Sequence, residues 1–97
     1  MKIRFLPFAE WELDDAFRWY EQQVSGLGYE FLYEIDLTIQ RIKTYPKSFA
    51  EIKPGIRQAL VKRFPFCFIF SVEEEIVVIA AVAHLHREPH YWADRIR

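Results

Sequence analysis

The chemistry available to this chain is concentrated in two short stretches. Arg57, Lys62 and Arg63 fall close together, and Arg87 and Arg95 follow later beside His84, His86, His90 and Tyr91. Guanidinium groups are fixed, permanently charged forks that match phosphate or carboxylate. Imidazoles carry protons near neutral pH, and a tyrosine can stack on a base or donate a hydrogen bond. Such a set can bind RNA and cleave it through the neighbouring 2′-hydroxyl, a reaction that needs a base, an acid and cations for the developing phosphorane charge. The same residues can instead form an arginine-rich surface for binding another protein, or serve the fold alone.

Each of these residues also has a plain structural reading. His84, at the end of an apolar run, reads as a half-buried, satisfied histidine. His84 and His86 are expected to point to opposite faces and not to share a task. Arg63 can be occupied with strand carbonyls. Trp92 reads as a hydrophobic plug folding back on the sheet. Three histidines without cysteine or a matched carboxylate cluster do not make a metal site. No glycine-rich phosphate loop or Ser/His/Asp nucleophile pattern is present, and no cofactor is expected.

The elements that must position this set are legible from hydrophobic spacing. Lys2–Leu6 alternates polar and apolar, as a short strand does. Pro7 ends it and can open a helix, where its missing N–H costs nothing. Ala9, Leu13, Ala16, Phe17, Tyr20, Val24 and Leu27 then recur at spacings of three and four, the stripe of one helical face. Glu10, Glu12, Asp14, Asp15 and Glu21 are assigned to solvent, and Trp11 and Trp19 lie beside the stripe, available to a neighbour or a partner. Gly26 and Gly28 suit a tight turn. A second helix is expected from about Tyr29 to Tyr45, with Phe31, Leu32, Ile35, Ile39 and Ile42 inward, Glu34, Asp36, Gln40, Arg41 and Lys43 outward, and Pro46 as its stop.

The remainder reads as sheet. Residues 46–55 are expected to be a loop, tacked down by Phe49 and Ile52. Ile56–Phe64 reads as a strand with basic residues on one side. Pro65 implies a bulge or a strand start. Phe66–Val72 and Ile76–Ala83 read as a hairpin joined through Glu73, Glu74 and Glu75, and the second strand is apolar enough to be central and covered on both faces. The expected fold is α+β, β-α-α-β-β-β, with a helical hairpin on one face of a small, mainly antiparallel sheet and the basic residues on the other.

Bulk composition fits one domain over residues 1–97. The chain is 52% hydrophobic and 18% aromatic, with nine Phe, five Tyr and three Trp, which suits a small, dense core and leaves rings to spare for an interface. Cys67 has no partner for an internal disulfide and reads as a small buried hydrophobe. No apolar run approaches the ~18 residues of a membrane helix, and the N-terminus lacks the apolar region of a signal peptide, so a cytoplasmic protein with no membrane partner is expected. Charge is unevenly spread: residues 1–40 hold three Lys/Arg against eight Asp/Glu, and residues 41–97 hold ten against six. This polarity suits a sheet that meets something anionic, or helices that simply carry solvating acids.

The Ala9, Glu12, Leu13, Ala16, Trp19, Tyr20 opening, the Gly26-Leu27-Gly28 turn, the Phe31 helix ending at Pro46, the Arg63-Phe64-Pro65-Phe66 segment and the His84-x-x-Arg87-x-Pro89-x-x-Trp92 ending resemble the RelE/ParE toxin superfamily over almost the whole chain. The resemblance implies the toxin of a type II toxin–antitoxin pair, of the plasmid stabilisation type, neutralised by a small antitoxin. It leaves the target open between messenger RNA cut in the ribosome (RelE-like) and DNA gyrase poisoned by binding (ParE-like). The RelE pattern is matched by Arg57, Arg87 and Tyr91, which are the catalytic candidates under that reading. Ala59, however, stands where a further base is expected, Phe66-Cys67 stands where a third-strand arginine is expected, and Tyr91 lies closer to Arg87 than in the nuclease pattern. These departures favour the ParE-like side. Arg57, Arg63, His84, His86, Arg87, Tyr91 and Trp92 are then candidates for contact with the target. A homologue that has lost toxicity and persists as a partner of the antitoxin is a third possibility. In each case an antitoxin is expected to add a strand or helix, using the sheet rim and the spare aromatics Trp11 and Trp19.

Overall fold

The computed structural model describes residues 1–96. β1 (Lys2–Phe5) runs into α1 (Pro7–Gln23), with Pro7 as its first residue, and a three-residue turn leads to α2 (Leu27–Thr44). The turn is built by one side chain. Glu21 of α1 accepts the backbone N–H groups of Gly26 and Gly28, both at 2.9 Å, so a carboxylate caps the amide-rich start of α2. Gly26 takes φ 91°, a conformation that favours glycine. Gly28 is required for another reason: a Cβ there would lie 2.8 Å from the Phe17 carbonyl oxygen.

The sheet has five strands in the order β1-β5-β4-β3-β2. The residue range expected to be a loop contains a short 3-10 turn (Pro46–Ser48) and an edge strand, β2 (Ala50–Lys53), paired antiparallel with β3 (Ile56–Leu60). β4 (Phe66–Glu73) and β5 (Ile76–His84) form the expected hairpin, and β1 joins β5 in parallel. Along β4, Phe66, Phe68 and Phe70 face the helices, while Cys67 and Ile69 face away. β5 keeps step through a bulge: Ile69 pairs with Ala81 and Phe70 with Ile79, leaving Ala80 as the extra residue. Val77, Ile79 and Val82 thereby all reach the helical face, while Ala81 and Ala83 reach the other.

The main core lies between sheet and helices. Phe31, Phe68, Phe70, Ile42, Ile79, Val77 and Val82 are its largest fully buried apolar side chains, and removing each such group from water contributes about 1.5–3 kcal/mol. Tyr20, Phe31, Phe64 and Phe66 form an aromatic knot in which Tyr20–Phe64 ring centres are 4.9 Å apart and Phe31–Phe66 5.3 Å. The opposite face is not a basic surface. Ile56, Cys67, Ile69, Ala81, Ala83 and Trp92 make a second cluster there, with Tyr91, Ala93 and Ile96 packed against it. Trp92 is 4% exposed and plugs this face, as expected.

Candidate functional site

The site is shaped by where β1 ends. Phe5 pairs with Ile79, and the chain then turns into α1, so from Ala80 onward the outer edge of β5 has no strand beside it. An open edge is a row of unmet amides and carbonyls. Two side chains meet it. Glu12 of α1 accepts the Val82 N–H at 3.1 Å, and Arg95 from the C-terminal 3-10 turn (Ala93–Arg95) donates to the Ala80 carbonyl at 3.1 Å.

Glu12 is the hub of this arrangement. It is 9% exposed. Its carboxylate also receives both terminal nitrogens of Arg95, at 2.8 and 3.2 Å, and the Tyr91 hydroxyl at 2.5 Å. A buried carboxylate is tolerated only when paired and fully hydrogen-bonded, and Glu12 meets both conditions. The expectation that Glu12 faces solvent is therefore corrected. The spacing held the signal: Glu12 lies three residues after Ala9 and four before Ala16, inside the apolar stripe. Glu34 repeats the case on α2, between Phe31 and Thr38. It is buried and takes Arg63 at 3.5 Å.

Tyr91 is held between two cations, with the Arg87 guanidinium 3.9 Å from its ring centre and that of Arg95 at 5.0 Å. Burial first, then the hydrogen bond to Glu12 and the Glu12 charge, push the Tyr91 pKa well above its ordinary 10.0. The hydroxyl is thus neutral and committed as a donor, which disqualifies it as a general base in this conformation.

The other expected cations divide sharply. Arg57 pairs with Phe70 in the β3–β4 ladder and so emerges on the helical face, where it donates to the carbonyls of Phe49 at 2.8 Å and Lys47 at 3.2 Å. It pins the 46–49 turn. Arg63 sits at φ 70° and reaches back to Glu30 at 2.7 Å, and the Glu30 hydrogen bond is the largest cause of its raised pKa. Among the described residues no carboxylate pairs with Arg87, which is exposed. His84 and His86 do not point apart: residues two apart share a face of an extended chain, and in the turn that follows β5 the two rings still lie 5.0 Å apart, with the His86 backbone N–H donated to His84 Nδ1 at 3.0 Å. His90 stacks on Trp92, with ring centres 5.3 Å apart. Cys67 is buried and hydrogen-bonded by Gln58, and burial raises its pKa, so it is no thiolate nucleophile. Among the described residues no His, Cys, Asp and Glu group could hold a metal ion.

Between α1 and the open end of β5 lies a groove of about 600 Å³. One wall is Trp11, Asp15 and Trp19, one helical turn apart in succession; the other includes Phe66, His84 and Arg87. Trp11 and Trp19 are 60% and 57% exposed. Val82 and Ala16 form part of the lining, so the groove is mainly apolar, with Arg87 and Asp15 as charged groups beside the already bonded Glu12.

No family model matches this sequence, and no curated protein matches it. Nine chains of solved structures match the structure. One belongs to the chromosomal ParDE TA system from P. aeruginosa, with a TM-score of 0.77 over 89% of this chain and 97% of that one, at 18% identity. The fold is ParE-like. Two helices on a mainly antiparallel five-stranded sheet are therefore an architecture already seen in a toxin–antitoxin system. No helix of the described residues is long and apolar enough to cross a membrane.

Proposed function

We propose that this chain is the toxin half of a type II toxin–antitoxin pair and that it acts by binding a protein, with DNA gyrase as the target. One observation carries the reading: the candidate catalytic groups are occupied with the fold itself. Arg57 holds the 46–49 turn, and the Tyr91 hydroxyl is given to Glu12. Of the three catalytic candidates only Arg87 has a side chain with no hydrogen bond or ion pair among the described residues, and one cation meets the charge of a phosphorane poorly. A mainly apolar groove flanked by exposed tryptophans suits protein recognition, because buried aromatic and arginine anchors dominate such contacts.

The antitoxin is proposed to occupy the same groove, laying an apolar segment between α1 and the end of β5 and placing an acidic group against Arg87. Arg57, Arg63 and Trp92 contribute to the surface only indirectly, through the elements they hold. His84, His86, Arg87 and Tyr91 lie at or beside the mouth and are the proposed contact region in a cytoplasmic setting.

Controlled expression tests the reading. Arrested growth with lost supercoiling and intact messages is the expected result. Codon-positioned cuts that appear only with ribosomes overturn it in favour of an endoribonuclease using Arg87. Harmless expression points instead to a non-toxic homologue.

A further inference from the structure

We propose that Glu12 is a positioning residue for the groove: by holding Tyr91 it fixes the platform on which Arg87 is presented as an anion-binding contact for a protein carboxylate. Arg87 is exposed and lies past the end of β5, in a segment without strand pairing. A lone arginine there would sample many rotamers, and ordering so long a side chain costs entropy at the moment of binding. Its guanidinium instead lies 3.9 Å from the Tyr91 ring centre, a stacking geometry that restrains it without using its hydrogen-bond donors. The ring is in turn fixed at its far end by the hydroxyl bond to Glu12. Glu12 itself cannot drift, because the Val82 N–H and Arg95 hold it. The chain of contacts therefore runs from a buried helical carboxylate to an exposed cation, and Glu12 touches no ligand.

The chemistry at the mouth favours a carboxylate on a protein over a nucleic-acid phosphate. The groove behind Arg87 is lined by Trp11, Trp19, Phe66 and Val82, and Asp15 on its rim repels a polyanion. An apolar segment bearing one acid fits this combination.

The inference rests on the protein-contact reading for its functional arm only. Its structural arm uses the chain alone. In the wild-type protein, NMR should show the Arg87 side-chain protons shifted upfield by the Tyr91 ring current. Glu12→Gln keeps an acceptor for Val82 but loses the charge that holds Tyr91 and Arg95. Tyr91→Phe keeps the ring and removes the hydroxyl, and serves if Glu12→Gln does not fold. Either change should move the Arg87 signals toward those of a free arginine while the fold persists. Unmoved Arg87 signals in a folded variant overturn the proposal.

In the functional arm, purified gyrase is the probe. The concentration for half-inhibition of supercoiling should rise about tenfold for Arg87→Ala, as for a charged contact at an interface rim. Glu12→Gln should give a similar rise, and the double variant should be no worse than either single one, because both act through one contact. Additive effects, or a Glu12→Gln protein as potent as wild type, overturn it. If wild type leaves gyrase untouched, the gyrase reading fails and the NMR result alone decides the positioning role.

Discussion

The two arginine-bearing regions of this molecule use the same residue for opposite ends. At the β3 end, Arg57 and Arg63 are turned inward onto the chain: Arg57 onto two carbonyls of the 46–49 turn, Arg63 onto Glu30 and Glu34. At the C-terminal end, one buried carboxylate takes up Arg95 and Tyr91 and leaves Arg87 facing the groove. A cation becomes available for recognition when the acids nearby are already occupied. Glu12 does this at one end. At the other, Glu30 and Glu34 remain open to Arg63 and claim it.

This contrast can be broken, and the largest effect is expected at Glu12. Glu12→Ala strands the Val82 N–H, the Arg95 guanidinium and the Tyr91 hydroxyl, and should lower unfolding free energy by about 3 kcal/mol, as removal of one partner of a buried pair does. Chemical denaturation measures it, and a loss under about 1 kcal/mol would place Glu12 with ordinary surface acids. Next comes Arg57→Ala, which leaves two carbonyls of the turn without their donor. It should cost about 1 kcal/mol and leave growth arrest intact, and a loss of arrest without a loss of stability would move Arg57 into the recognition surface.

A pH titration sharpens the C-terminal half. The folded-state pKa of Tyr91 is raised above the ordinary 10.0, so folded and unfolded chains both keep the proton below pH 10. Above it the unfolded chain ionises first, and stability falls as pH rises. Tyr91→Phe should make that alkaline decline shallower, as read from thermal midpoints across pH 9–11; an unchanged slope would mean the hydroxyl is not locked. The smallest effect is expected at Arg63. Its pair with Glu30 is exposed and its φ of 70° suits glycine, which offsets the loss of the 3.5 Å contact to the buried Glu34, so Arg63→Gly should lower the denaturation midpoint by less than Arg57→Ala does.

Much of this was legible in the chain itself. Pro7, the two helical stripes, the β4–β5 hairpin, the burial of Cys67 and the plug made by Trp92 all follow from spacing and residue type. β2 did not, because Ala50-Glu51-Ile52-Lys53 is a short edge strand between Pro46 and the Pro54-Gly55 turn, where punctuation outweighs pattern. The destination of Arg57 depends on register, since a slip of one residue moves it to the other face. The Glu12 hub joins residues 79 and 83 positions apart in sequence to Tyr91 and Arg95. Its trace in the sequence was an acid inside an apolar stripe. The closeness of His84 and His86 agrees with the strand period, in which residues two apart share a face, and the turn after His84 adds the bond from the His86 backbone N–H to His84 Nδ1, so the expected divergence had no basis in the spacing.

The most direct test of protein contact over RNA cleavage is supercoiling by purified DNA gyrase, measured with wild type, Arg87→Ala and Arg57→Ala side by side. Inhibition by wild type and Arg57→Ala, with relief in Arg87→Ala, is the expected result. Full supercoiling with all three proteins, alongside ribosome-dependent message cleavage that needs Arg57, would contradict it.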